Sequence, residues 1–118
     1  MALKIEFEQR EKLLHVVATG PATLEDIIGL IEAVSEETLR TGTSRALVNL
    51  LGVQEGLKFT DHFSVGEQVA RQLGHLDKLA SVVPEDRRTG TSEKVANAKG
   101  MRLKVFTSET PALEWLAA

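Results

Sequence analysis

Apolar and polar residues alternate with a period of two at the start of the chain, where Leu3, Ile5 and Phe7 are interleaved with Lys4, Glu6 and Glu8. That period predicts a half-buried strand. After a polar turn, Leu13 to Ala18 predicts a second, more apolar strand, and the link is too short for a helical crossover, so the two strands form an antiparallel hairpin. Gly20-Pro21 is expected to break the second strand. The period then changes. Leu24, Ile27, Ile28, Ile31, Val34 and Leu39 fall on one helical face, with Thr23 as the N-cap, Glu25 and Asp26 in the first turn, and Gly42 just past the end.

The same alternation of period repeats to the end of the chain. Ala46 to Leu51 is a short apolar run that predicts a buried strand. A loop, Gly52 to Phe59, leads to a helix capped by Thr60 or Asp61, with Phe63, Gly66, Val69, Ala70, Leu73 and Leu76 as its buried stripe. Leu79 to Val83 predicts a fourth strand, stopped by Pro84. A charged loop with Arg87-Arg88 follows, then a short helix from Ser92 to Lys99 ended by Gly100. Leu103 and Val105 mark a fifth strand, and Ser108 caps a last helix carrying Leu113, Trp115 and Leu116. The predicted order is β-β-α-β-α-β-α-β-α. Strands joined through helices run parallel, so the expected fold is α/β, a mixed five-stranded sheet with an N-terminal antiparallel hairpin and covering helices.

Composition narrows the function classes. A chain of 118 residues suits a single domain, residues 1–118. Lys and Arg total 14 against 17 Asp and Glu, a formal net charge of -3, which argues against a nucleic-acid partner. The absence of cysteine excludes disulfides and thiol nucleophiles. No apolar run approaches the roughly 20 residues that span a bilayer, and the alternating N-terminus does not resemble a secretion signal. The expected location is the cytoplasm, with no cofactor.

Three segments resemble a known family. They are the hairpin followed by the Leu24 to Leu39 helix, the run His75-Leu-Asp-Lys-Leu-Ala-Ser-Val-Val83, and, most distinctively, Arg102-Leu-Lys-Val-Phe-Thr-Ser-Glu-Thr-Pro-Ala-Leu-Glu-Trp-Leu116, with its closing aromatic, short polar turn and Ala-Leu-x-Trp-Leu. The chain resembles the bacterial anti-sigma-factor-antagonist-like proteins grouped with STAS domains and the CRAL-TRIO lipid-transfer fold. The resemblance implies a STAS-like fold and a non-enzymatic regulatory module that acts through a protein partner or a small anionic or apolar ligand. A lipid or hydrophobic-ligand carrier is an alternative, with a pocket between the Thr60 to Leu73 helix and the sheet. Sigma-pathway antagonists carry a phosphorylatable serine in an Asp-Ser-Ser-Gly-Leu type motif after the third strand. Here the region reads Leu57-Lys-Phe-Thr-Asp-His-Phe-Ser-Val-Gly66, without that motif, and Thr60 and Ser64 are the nearest hydroxyls.

Candidate chemistry is sparse. Asp61, His62 and Ser64 contain the residue types of a triad, and a cofactor-free enzyme using Asp61 or His62 is a further alternative. Residues one apart on a helix diverge by about 100°, so His62 points away from the other two and Asp61 reads as a cap. The three histidines do not converge as metal ligands do; His15 is expected in a polar or edge position on its strand. Arg87 and Arg88, before a helix N-terminus at Ser92, are the candidate anion site. Asn49 ends the third strand, where it orients a ligand or bonds the loop backbone. Leu57 and Phe59 either cover the core or form a patch for a partner or a second copy, a homodimer. Trp115 is expected in the core.

Overall fold

The computed structural model describes residues 3–87 and 90–118. Five strands form one sheet: β1 (Lys4–Gln9), β2 (Leu14–Ala22), β3 (Arg45–Glu55), β4 (Lys78–Val82) and β5 (Leu103–Phe106). Four helices connect and close it: α1 (Leu24–Thr41), α2 (Phe59–Gln72), α3 (Thr91–Ala98) and α4 (Glu109–Ala117), with one 3-10 turn at Glu85–Arg87. The strand order follows the chain, β1-β2-β3-β4-β5. β1 pairs antiparallel with β2 and every other pairing is parallel. The mixed α/β sheet with its N-terminal hairpin is thus the one its periodicity predicts.

Alternate residues of each strand feed two cores of unequal size. Leu14, Val16 and Ala18 of β2, with Ala46, Val48 and Val53 of β3, face α1, α2 and α3. On the other face, Leu47, Ala80 and Val82 pack against Ala112 and Leu116 of α4. Three helices therefore cover one side, while α4 alone lies over β3, β4 and β5 on the other.

Local chemistry sets the helix ends. Thr23 caps α1 as expected: Asp26 N donates to Thr23 Oγ1 (3.2 Å), and Thr23 N donates to Asp26 Oδ2 (2.9 Å). Gly42 terminates α1 at φ 70°, a left-handed conformation that glycine adopts without a Cβ penalty. At α2 the cap is Lys58, not Thr60 or Asp61. Asp61 still serves the helix end, because its carboxylate accepts from Lys58 N at 2.9 Å. At α3 the cap is Gly90 rather than Ser92, so Ser92 lies inside the first turn.

Several expectations change for tertiary reasons. Gly20-Pro21 does not break β2, which continues to Ala22. Among the described residues the β1 pairing ends at Thr19, and from Gly20 on β2 is paired with β3 alone, a setting that tolerates a residue without N–H. The segment from Gly52 to Glu55 is strand rather than loop. Val17 pairs with Asn49 and Thr19 with Gly52, so β3 carries one extra residue there. This bulge returns Val53, three positions after Leu50, to the same core. Leu39 is 63% exposed and Thr38 is buried in its place; Thr38 Oγ1 donates to Val34 O and lies 2.8 Å from His75 Nε2. Phe63 is 45% exposed, and Val65 packs against the core instead.

The α2–α3 contact depends on a missing side chain. A Cβ at Gly66 would lie 2.7 Å from Ser92 O and 2.8 Å from Val95 Cβ. Backbone cannot yield as a flexible side-chain tip does, so Gly66→Ala should force the helices apart and destabilise by about 1–3 kcal/mol. Gly29, inside α1, has nothing within 4 Å of its Cβ position, and Gly29→Ala should stabilise by about 0.5–1 kcal/mol. Urea denaturation of the two variants checks the pair; equal effects would contradict the close approach of α2 and α3.

Candidate functional site

Two constellations stand on opposite faces of the sheet. The first is an apolar cavity of about 130 Å³ between α1, α2 and the sheet. Val48, Leu79 and Leu103 form its floor, and Ile27, Ile31, Val65 and Val69 its walls. At the carboxyl ends of β3 and β4 its lining passes to Glu55, Leu57, His62, Pro84 and Ser92. Ligands of open α/β sheets gather at that end. An apolar cavity of roughly 150 Å³ accommodates a benzene-sized molecule, so this one suits a compact apolar group.

Leu57 and Ser92 line the cavity, so Leu57 covers the core. Phe59 points outward and is 71% exposed, with Phe63 one turn further along α2. Thr60 is exposed, and its carbonyl accepts from Ser64 Oγ at 3.2 Å. Asp61 is occupied with Lys58 N, while His62 reaches the cavity lining. The three triad residue types therefore serve three separate purposes. Arg87 ends the 3-10 turn. Its side chain, and Arg88 with Thr89, lie outside the described residues.

The second constellation joins residues that the sequence leaves apart. His15 is not at a polar or edge position; it is buried in β2, and its Nε2 lies 2.9 Å from Glu109 Oε2 at the first turn of α4. Asn49 Nδ2 donates to the same oxygen at 2.6 Å. The Asn49 amide oxygen accepts from Leu51 N at 2.9 Å, across the β3 bulge. Asn49 thus bonds backbone, as its position suggests, and holds α4 as well. It faces away from the cavity and does not join the other candidate residues. Burial pushes the Glu109 carboxyl up, but the hydrogen bonds from Asn49 and His15, with the charges of His15 and Arg10 nearby, leave it below the ordinary carboxylate value. Among the described residues, no three His, Asp or Glu side chains converge as a metal site.

The opposite end of α4 is held by cations. Lys78, 4% exposed, donates from Nζ to Trp115 O and Ala118 O, both at 2.8 Å, and sits 5.1 Å over the Trp115 ring. Arg45 Nη1 donates to Leu116 O and bridges through Nη2 to Asp77 at 3.1 Å. Positive charge at a helix C-terminus satisfies the last carbonyls and complements the dipole. Desolvation and the neighbouring Arg45 and Arg102 lower the Lys78 amine pKa. Trp115 is half-buried against Phe106, with centroids 5.9 Å apart. No sequence period announces the Lys78 and Arg45 contacts, because each joins residues more than thirty positions apart.

A mixed five-stranded sheet with three helices on one face and one on the other defines the α/β class of this fold. The chain matches the SpoIIAA-like family over residues 13–117, and it belongs to that family. Among solved structures it is similar to an anti-sigma factor antagonist from Mycobacterium paratuberculosis (TM-score 0.69, 12% identity, 99% of this chain and 96% of that one). It is also similar to an uncharacterised DUF3478-family protein with a SpoIIAA-like fold from Shewanella loihica (TM-score 0.60, 19% identity, 98% and 93%). A third similar structure is the anti-sigma factor antagonist SpoIIAA in its unphosphorylated form (TM-score 0.55, 14% identity, 99% of both chains). At these identities the likeness is one of fold. No curated protein sequence matches the chain. Among the described residues, no helix is long and apolar enough to cross a membrane.

The Glu109 contacts carry a sign. A carboxyl whose folded pKa lies below the ordinary 4.5 contributes stability that is complete above that value. The contribution is lost as the pH falls through the lowered folded value, where the folded state also takes up the proton. Glu109→Gln should therefore cost about 1–2 kcal/mol at about pH 6, with the gap to wild type closing in acid. Urea denaturation across this range is the measurement, and a gap that widens in acid would refute the assignment.

Proposed function

We propose that the protein is a non-enzymatic regulatory module that acts by docking a protein partner against the first two turns of α2. The observation that carries this reading is the pair of exposed aromatic rings, Phe59 and Phe63, one turn apart beside the cavity rim. Aromatic side chains give large contact area at low entropic cost, and such residues dominate the energetics of interfaces. Membership of the SpoIIAA-like family and likeness in fold to two anti-sigma factor antagonists support a partner-binding role. The region lacks the serine motif of the phosphorylated antagonists, so the docking surface works without that modification. Phe59→Ser/Phe63→Ser should keep the thermal midpoint within a few degrees and abolish recovery of the protein that wild type captures from a lysate of the source cell. Equal capture by wild type and variant would refute the reading.

A second reading, a carrier of a small apolar molecule, is supported by the 130 Å³ cavity between α2 and the sheet. Its lining is aliphatic except near the strand ends, so the ligand would bury a compact hydrocarbon group and leave its polar end beside Glu55, His62 and Ser92. Native mass spectrometry of freshly purified protein should then show a retained small molecule. Val65→Phe, which fills the cavity from α2, should expel it. Protein that is empty as isolated, and that takes up a fluorescent apolar probe equally well with Val65→Phe, would rule the carrier out.

A further inference from the structure

Among the described residues, the outer strand β1 has β2 on one side and no strand on the other, so one row of its backbone N–H and C=O groups is open to pairing. Its side chains alternate apolar and charged. On the face shared with the larger core, Leu3 and Ile5 are half-buried, and Phe7 is 41% exposed. On the opposite face stand Lys4, Glu6 and Glu8. Glu8 is already engaged by Arg10 at 2.7 Å. Lys4 and Glu6 have no side-chain hydrogen bond or ion pair within the described residues.

We propose that β1 is a homodimer interface, in which two copies pair their β1 strands antiparallel about a two-fold axis at Ile5 and join their sheets into one of ten strands. The axis must stand perpendicular to the sheet, because only that rotation makes the strands antiparallel while keeping matching faces together. It therefore passes through a residue, and each choice of residue fixes every cross-strand pair.

Centring at Lys4 sets lysine against lysine. Centring at Glu6 or Glu8 sets glutamate against itself, and centring at Phe7 sets Glu6 against Glu8 twice. Like charges directly opposite are destabilising. Centring at Ile5 pairs Lys4 with Glu6 of the second copy twice, Leu3 with Phe7 twice, and Ile5 with itself. The two free charges of the strand thus find opposite partners, and the exposed Phe7 ring gains apolar cover. Among registers centred from Lys4 to Glu8, the complementarity favours the one at Ile5, with a second copy of this chain as the occupant. The interface lies at the far edge of the sheet from β5.

Sedimentation velocity over a concentration series tests this. Wild type should sediment as a dimer. Lys4→Glu and Glu6→Lys should each weaken the dimer by about ten-fold or more, because each turns two attractive cross-strand pairs repulsive. The double variant Lys4→Glu/Glu6→Lys should dimerise like wild type, and an equimolar mixture of the two single variants should form heterodimers. Restoration of this kind does not follow from a loss of folding. A monomeric wild type would overturn the proposal, as would single variants that dimerise normally, or a double variant that stays as weak as the singles. Loss of the dimer in Leu57→Ser/Phe59→Ser, with the β1 variants unaffected, would place the interface on α2 instead.

Discussion

Parallel pairing of β2 with β3, interrupted by a single extra residue on β3, is the constraint on which the rest of the molecule depends. Before the bulge, Leu14 and Val16 beside Ala46 and Val48 build the floor of the larger core, while Leu47 starts the smaller one. Beyond it, pairing resumes from Thr19 with Gly52 to Ala22 with Glu55, and Val53 regains the larger core. A one-residue slip exchanges the two faces of a strand, so without the insertion Val53 would point towards α4 and the cavity would lose a wall. Gly52 suits the crowding that results, because a Cβ there would meet Thr19 Cγ2 at 2.8 Å. Asn49 is the residue that ties this irregularity to the remainder of the fold. One end of its amide closes the bulge on Leu51 N, and the other end holds Glu109.

The two faces are stabilised by different physics. The three-helix side relies on apolar area, with Leu30, Val34, Val69 and Leu73 all buried, and area of this kind contributes about 25 cal/mol per Å². α4 buries only Ala112 and Leu116 fully. It compensates at its ends, with His15 and Asn49 on the first turn and Lys78 and Arg45 on the last. Charge-assisted hydrogen bonds of this sort fix orientation as well as contributing energy. The consequence for function is a division of labour. The larger core carries the cavity, while α4 and its polar clamps hold the sheet from behind.

Much of the architecture is legible in period alone. The switch from period two to period 3.6 and back locates the five strands and four helices in order, and Thr23 and Gly42 mark the ends of α1 by their own chemistry, while Ser108 holds the N-cap position of α4 without a side-chain bond. The errors cluster where neighbours, rather than the residue, decide. Pro21 reads as a breaker, yet β2 runs on to Ala22, paired there with β3. Leu39 reads as core, yet it stands in solvent while Thr38 is buried against His75. Phe63 and Val65 exchange roles too, since an apolar ring and an apolar β-branched chain are both acceptable on a stripe edge.

The candidate site divides in the same way. Leu57, Phe59, Asp61 and Ser92 are recognisable as rim residues because they flank a strand end and a helix start. His15 and Glu109, ninety-four positions apart, are not. What the amino-acid order determined by itself is local: hydrophobic period, capping and turn chemistry, and through them the sequence of strands and helices and the family they belong to. The tertiary structure alone decided which face each strand residue serves after the bulge, which apolar residues stay wet, and which polar groups meet across the sheet. The reason is physical: backbone periodicity acts over a few residues, whereas a buried histidine, a bulged strand and a clamped helix exist only when distant segments exclude water together.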